Sequence, residues 1–276
     1  MTLSPIWHAV SMPELFKRTE CAMLEKDALH KCALTARLYD EWQGGSLICV
    51  DDGNILSMDD PGRPRLPLLV DPRQLERRSF SSAQGRVCLL HAFAHIEFNA
   101  INIALDAVYR FRGMPQEYIG DWLLVASEEA KHFLLLNAEL ERRGSFYGAH
   151  QAHRGLWDMV CKTRHDLLHR MALVPRVMEA RGLDVTPSMI AKFEQFNDAA
   201  AVAILEIIYR DEIGHVRIGN YWYHKLCEQQ QLNPAASFRQ LIKQYMGGRL
   251  RGPFNWQARI EAGFESPELA ALEQES

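Results

Sequence analysis

The sequence predicts an all-α protein that forms one domain, 1–276, around a four-helix bundle. Apolar residues recur every three or four positions over most of the chain, which is the period of helices with one buried face. One segment breaks this period with proline, glycine and aspartate, residues that favour turns. The predicted parts are N-terminal helices (1–46), a loop-rich arm (47–81), a four-helix bundle (82–230) and a C-terminal extension (231–276).

Composition narrows the class of protein. The 276 residues are 47% hydrophobic and 24% charged, as in a globular chain with a sizeable core. A net charge of −4 does not by itself indicate a nucleic-acid binder. The six cysteines form no Cys-x-x-Cys pair, which argues against a cysteine zinc site and a secreted disulfide scaffold. With neither a signal-peptide pattern nor a membrane-spanning apolar run, we expect a cytoplasmic protein without membrane contact.

Glycine and proline divide the helical pattern of the bundle into successive helical segments, which are called helical arms below. Residues 112–115 combine a glycine with a proline suited to a helix start. Residues 144–153 form a second break, and residues 197–198 a weaker one. Residues 181–187 also indicate a break, with Thr186 as N-cap and the following proline at the first helical position.

An acidic-Glu-x-x-His pattern occurs twice. Residues three apart on a helix share a face, so each Glu and His can aim at one point. The acid before each Glu lies four residues before the His, and we expect it to bind the imidazole nitrogen that faces away from a metal, Glu128 orienting His132 and Asp211 orienting His215. The two copies are Glu128, Glu129 and His132, and Asp211, Glu212 and His215.

Two further glutamates complete the pattern of a di-metal site. Such a site in a four-helix bundle takes one lone Glu from each of the two other helices. Glu97 lies 32 residues before Glu129, and Glu179 lies 33 before Glu212, which suggests two similar helical hairpins. Glu97 also interrupts an apolar stripe, where a carboxylate needs a compensating charge.

Counting residues from each turn tests these assignments. At about 1.5 Å per residue, Glu97 and Glu129 lie at the same depth in the first hairpin. The two glutamates of the second hairpin are level only if the chain turns at residues 197–198. We therefore expect residues 181–187 to interrupt the third arm close to the metals, and a substrate pocket to open there.

Four sequence strings carry a resemblance to a known family: HAFAHIEFNAI, EEAKHF, EARGLDVTP and RDEIGHV. They resemble the ferritin-like family catalogued as domain of unknown function 455, with similarity from the PGRPRLP arm to the C-terminal AGF. The resemblance implies a ferritin-like bundle with a carboxylate-bridged di-iron site, and no substrate, because the family is uncharacterised. More distantly, the chain is similar to di-iron hydroxylases, including one that modifies tRNA. The implied ligands are Glu97, Glu129, His132, Glu179, Glu212 and His215.

The connection between the second and third bundle helices stays open at this point. Residues 144–153 suit a short turn, whereas a ferritin-like crossover needs a longer reach, which only the resemblance implies.

The leading functional hypothesis is an oxygen-activating oxidoreductase or hydroxylase that acts on a small organic molecule with molecular oxygen. Carboxylate and imidazole ligands suit iron or manganese better than a closed zinc site, so we expect two iron ions, with manganese as an alternative. The expected roles are bridging, catalytic carboxylates for Glu129 and Glu212, single-metal ligation for His132 and His215, and terminal ligation for Glu97 and Glu179.

Alternatives follow from the same residues. One is iron handling or peroxide scavenging without an organic substrate, and another is a metal-free interaction protein with these acids on its surface. Tyr209, three residues before Glu212, is either close to the metals or part of the core. Clustered arginines allow an RNA or phosphate-bearing substrate, although pairing with the chain's own acids is the simpler reading. The cluster is Arg63, Arg65, Arg73, Arg77, Arg78 and Arg86.

Overall fold

The computed structural model describes residues 13–275 except 52, 77, 78 and 249, so Arg77 and Arg78 of the arginine cluster lie outside the described residues. Within these ranges the regular structure is helical, with two isolated β-bridges, and the predicted all-α class is confirmed. The α-helices are α1 (Leu15–Leu24), α2 (Ala28–Gln43), α3 (Ala83–Arg110), α4 (Gln116–Arg142), α5 (Gly155–Thr163), α6 (Leu167–Leu173), α7 (Ala180–Gln195), α8 (Ala199–Gln229), α9 (Pro234–Met246), α10 (Trp256–Glu261) and α11 (Ser266–Glu275).

Polar caps fix where the long helices begin. The Ser82 hydroxyl accepts a hydrogen bond from the Gly85 amide at 3.0 Å at the start of α3. Asp198 does the same for α8, accepting from the Ala201 amide at 3.3 Å. Asn197 has a φ of 54°, a left-handed conformation that reverses the chain. The predicted turn at residues 197–198 is therefore confirmed.

Four long helical arms surround the candidate site. The first, second and fourth are α3, α4 and α8, and the third runs from α6 through a π-helical segment, Val174–Glu179, into α7. Helix α3 packs along α4, α7 packs along α8, and α4 contacts α8. One apolar cluster runs from Leu15 to Leu272 and joins the arms to both ends of the described chain.

Helix α3 has the length and apolar composition of a membrane span, and it is the one such helix within the described ranges. Its most apolar window is 78% buried inside the protein, however, because α1 and α4 pack against it. Its apolar faces are thus already covered by the fold.

The third arm corrects one expectation. Residues 181–187 do not interrupt it but lie within α7, with Thr186 inside the helix and not at an N-cap, and the irregular turn is the π-helical segment before it. Pro187 cannot donate to the Leu183 carbonyl one turn earlier. The Asn255 side-chain amide donates to that carbonyl instead, at 3.2 Å, so the helix continues through the proline.

A close approach fixes the π-helical segment against α8. A Cβ added at Gly219 would lie 2.2 Å from the Cβ of Pro175, so only glycine fits at this point of α8. Arg176, in the same segment, is buried between the rings of Tyr223, Phe238 and Phe264. Its guanidinium pairs with Glu268 of α11, which anchors the C-terminal extension to the third arm.

The connection between the second and third arms is long. After α4 ends, a loop and helix α5 span residues 143–166 before α6 begins. Two α3 histidines hold the loop: the Gly148 amide donates to Nε2 of His91 at 2.9 Å, and Nδ1 of His95 lies 2.9 Å from the Tyr147 hydroxyl. A short turn is therefore excluded, and these histidines support the connection.

Candidate metal centre

The structure brings the six predicted ligand side chains to one place between the four arms. Glu129, His132 and His215 are fully buried and Glu97 is 2% exposed, whereas Glu179 and Glu212 are partly exposed. The premise that these acids lie on the surface, on which the metal-free alternative depended, is wrong for Glu97 and Glu129. Four ligand atoms lie within 4.8 Å of one another, one each from Glu97, Glu129, His132 and Glu212.

Glu129 lies between the two imidazoles. Its Oε2 is 3.4 Å from Nδ1 of His132, and its Oε1 is 3.0 Å from Nδ1 of His215. Glu97 approaches His132 Nδ1 at 3.4 Å, and Glu212 approaches His215 Nδ1 at 3.8 Å. Each histidine therefore has one neighbouring carboxylate of its own and shares Glu129 with the other.

The acids that hold the outer nitrogens are exchanged relative to the sequence prediction. Nε2 of His132 lies 3.1 Å from Asp211, and Nε2 of His215 lies 2.8 Å from Glu128. The predicted pairing within each helix is thus wrong, although both acids do contact a predicted ligand.

The antiparallel register of α4 and α8 explains this exchange. Residue numbers fall along one helix as they rise along the other. A contact farther along the same pair shows this register, since the Trp222 indole of α8 donates to Asp121 of α4 at 2.8 Å. Four residues correspond to about 6 Å along a helix axis. The acid four residues before each histidine is therefore level with the histidine of the opposite helix.

Burial and mutual repulsion change how the carboxyl groups hold protons. Burial raises the pKa of Glu97 well above its usual value, and the Glu129 charge adds to this effect. Burial, together with repulsion from Glu212 and Glu129, raises the pKa of Glu179 to about 8. Burial also raises the pKa of Glu129, but His215 and His132 outweigh it and hold that pKa well below its usual range.

The histidines respond in the opposite sense. Burial lowers the pKa of His132, but the adjacent carboxylates of Glu129 and Glu97 outweigh it and raise the pKa to about 11. The pKa of His215 is likewise raised well above its usual value, because Glu129 and Glu128 outweigh burial. Without a cation, the raised pKa values of Glu97, Glu179 and the two histidines all favour protons bound within the cluster.

Several buried polar atoms at this point make no well-aligned hydrogen bond to any described residue, although two of them, Glu129 Oε1 and His215 Nδ1, lie 3.0 Å apart. An unsatisfied buried polar group costs about 1–3 kcal/mol, so several of them together need a common partner. A pair of divalent cations would satisfy all of them, and oxygen with imidazole nitrogen is a donor set suited to iron or manganese. The residues therefore fit a di-metal group. The atoms are Glu97 Oε2, Glu129 Oε1, Glu179 Oε2, Glu212 Oε2 and His215 Nδ1.

A cavity of about 170 Å³ adjoins the cluster. Glu97, Glu179 and Glu212 form its acidic side, and most of the remaining wall is aliphatic or aromatic, as at Phe93 and Ile208. Helix α7 contributes to the wall within the segment where the sequence predicts a substrate pocket. The lining residues of α7 are Arg181, Gly182, Val185 and Thr186.

Tyr209 and the arginines, the other candidates named from the sequence, contact residues outside the predicted ligand set. The Tyr209 hydroxyl accepts a hydrogen bond from the Asn255 amide at 2.9 Å, at the C-terminal extension. In the arginine cluster, Arg63 lies 3.4 Å from Asp60 and Arg86 lies 3.6 Å from Asp198. These two arginines pair with the chain's own acids, as the simpler reading expected.

Comparison with known proteins agrees with the sequence resemblance at the level of the family. Residues 24–270 match the family described as Protein of unknown function (DUF455). An uncharacterized protein of Haemophilus influenzae is 46% identical over 266 residues, which cover 93% of this chain and 92% of that protein. No solved structure matches the chain.

Proposed function

The chain belongs to the family described as Protein of unknown function (DUF455), and we propose that the cluster around Glu129 is a carboxylate-bridged di-iron centre in a ferritin-like four-helix bundle. The observation that carries this proposal is the convergence of buried, unpartnered carboxylate and imidazole atoms from four helical arms. The alternation of a lone Glu arm with a Glu-x-x-His arm supports it, because bundle di-metal sites have this composition.

Each residue has a distinct part in the proposed centre. Glu129 would be shared by the two cations, consistent with its position between the two Nδ1 atoms. Glu212 would be the second shared ligand, since it reaches both the His215 side and the group of four ligand atoms around His132. Glu97 and His132 would hold one metal, and Glu179 and His215 the other.

The proposed activity is oxidation of an organic molecule by an oxygen-activating oxidoreductase or hydroxylase. Two bound iron ions, or manganese in their place, would supply the redox chemistry with molecular oxygen. Asp211 and Glu128 accept hydrogen bonds from the Nε2–H groups of His132 and His215, which would leave both Nδ1 lone pairs directed toward the cluster when metal is bound. Phe93, Ile208 and the other apolar residues of the cavity exclude water beside the site.

The cavity favours this activity over iron handling or peroxide scavenging. Neither alternative needs space for an organic molecule, whereas an apolar cavity with carboxylates on one side is typical of a small-molecule site. Iron handling stays the second proposal, and turnover with an organic substrate distinguishes the two.

Metal analysis tests the proposal directly. Purified protein loaded with ferrous iron without oxygen should hold two iron ions per chain, and Glu129→Gln should hold fewer. Glu194→Gln is a matched control, because Glu194 is exposed on α7 away from the cluster. Oxygenated buffer should then oxidise the bound iron. Wild-type protein that binds no iron contradicts the metal centre, and iron that stays ferrous for hours contradicts oxygen activation.

A further inference from the structure

The cavity of about 170 Å³ beside Glu97, Glu179 and Glu212 is called the metal-side cavity below. A second, outer chamber adjoins it. It has a volume of about 360 Å³, and the third arm and the C-terminal extension enclose it. Leu156, Met178 and Arg181 line both spaces, so the two cavities adjoin at these three side chains. A ligand that extends from the outer chamber to the cluster would have to pass them.

Positive charge predominates in the outer chamber. Arg181, Arg251 and Arg259 line it together with one acid, Asp184. Asp184 binds Arg259, whose Nε and Nη2 both donate to it at 2.8 Å, and it also lies 3.5 Å from Nη1 of Arg181. One acid against three arginines leaves an excess of positive charge in the lining.

The arginines are arranged to receive an acceptor. The Arg259 side chain is 1% exposed, yet its Nη1 has no hydrogen-bond acceptor among the described residues. Arg251 is exposed at the chamber, and its carbonyl holds Nη1 of Arg181 at 2.9 Å, which keeps those two residues together. A buried guanidinium nitrogen without an acceptor is costly, and an anionic oxygen would satisfy it.

The rest of the lining is apolar. Val177, Met246, Leu250 and Phe254 face the outer chamber, and the metal-side cavity continues with aliphatic walls. A ligand that fits both spaces has an anionic group at one end and an apolar body. The enclosed volume suits a small molecule and not a nucleic-acid helix.

We infer that the outer chamber binds the anionic head of a small amphipathic organic acid, whose apolar chain passes Leu156 and Met178 toward the cluster. This inference deepens the proposed function and rests on it for the chemistry that follows binding. A carboxylate and a phosphate monoester share the recognised feature, an oxyanion that can bind a guanidinium.

Calorimetric titration tests the head-group requirement. The probes are decanoate, decyl phosphate, decanol and decyltrimethylammonium, each below its aggregation concentration, added to the full-length protein. At least one of the anions should bind about tenfold or more tightly than decanol, and the cation should not bind. Equal affinity for an anion and decanol, or no binding of either anion, would overturn the inference.

Variants locate the head group. Arg251→Ala should weaken anion binding about tenfold and leave decanol binding unchanged, because one charge-assisted bond is lost. Arg37→Ala, which removes an exposed arginine from the remote helix α2, should change neither. Arg259→Lys serves as a second variant that keeps a charge beside Asp184 but loses the planar guanidinium. Unchanged anion affinity in both Arg251→Ala and Arg259→Lys contradicts the assignment.

Metal loading separates this inference from the proposed function. Anion binding is measured in both the metal-free and the iron-loaded protein, alongside iron content. Protein that binds the anion but no iron keeps the outer chamber and contradicts the di-metal centre. Protein that binds two irons but binds the anion no more tightly than decanol keeps the di-metal centre and contradicts the outer-chamber inference.

Discussion

The exchanged contacts between α4 and α8 give a prediction that separates this structure from a within-helix arrangement. Asp211→Asn removes the carboxylate 3.1 Å from His132, although the two residues lie on different helices. Loss of an acid that orients a metal-binding histidine lowers metal affinity about 10- to 100-fold, or about 1.4–2.7 kcal/mol. We expect a loss in this range for the metal beside His132.

Measuring Asp211→Asn in two histidine-variant backgrounds tests its contact with His132 separately from its other contacts. Ferrous iron affinity is measured without oxygen by competition with a coloured chelator. In a His132→Ala background, Asp211→Asn has no imidazole left to orient, so it should change the affinity of the remaining metal by less than about 0.5 kcal/mol. In a His215→Ala background, Asp211→Asn should keep its full effect. Glu128→Gln should show the opposite dependence, because its partner is His215.

The reasoning is refuted if Asp211→Asn has the same effect in both backgrounds. It is also refuted if Glu128→Gln, and not Asp211→Asn, loses its effect when His132 is absent. That second result would restore the pairing within each helix.

Three further predictions concern the third arm, its contact with α8 and the proton balance of the metal-free site. Glu179→Ala should bind fewer iron ions per chain, whereas Glu194→Ala, on the exposed part of α7, should bind the full number; elemental analysis decides. Gly219→Ala places a Cβ 2.2 Å from the proline of the π-helical segment and should lower the free energy of unfolding by about 1–3 kcal/mol, measured with urea. Gly214→Ala in the same helix meets no atom within 4 Å and should be neutral or stabilising. The pKa of Glu179, about 8, and that of His132, about 11, both exceed their usual values of 4.5 and 6.5. Their contribution to stability is therefore fully present below the usual value and is lost as pH rises from the usual to the raised value. The metal-free protein should therefore become less stable from pH 6 to pH 9, by at most about 1.4 kcal/mol per pH unit for each group, and a flat or rising urea profile would contradict this.

The short-range sequence pattern was sufficient to predict the all-α class and the turn at residues 197–198. The helical period and the capping residues act within a few positions of one another, so both can be read from neighbouring residues. It also selected six side chains that meet in the structure, since spacing along a rigid helix fixes both depth and face. Their role as metal ligands stays a prediction.

Other features depend on residues far apart in the chain. Glycine and proline at residues 181–187 indicate a break, but Asn255, about seventy positions later, satisfies the carbonyl that Pro187 leaves free. The exchange of Asp211 and Glu128 depends on the register between two helices, which no local pattern records. The outer chamber likewise exists only because the C-terminal extension packs on the third arm.

The antiparallel exchange also sets the order in which the centre can form as the chain is made. His132 is synthesised 79 residues before Asp211, the residue that holds it. A ribosome-bound chain that has released only α3 and α4 therefore presents a histidine without its acid and carboxylates without their neighbours. We expect such a nascent chain to hold iron poorly, so that uptake follows the emergence of α8. In this respect the proposed centre would differ from zinc fingers, in which metal binding drives folding from the start.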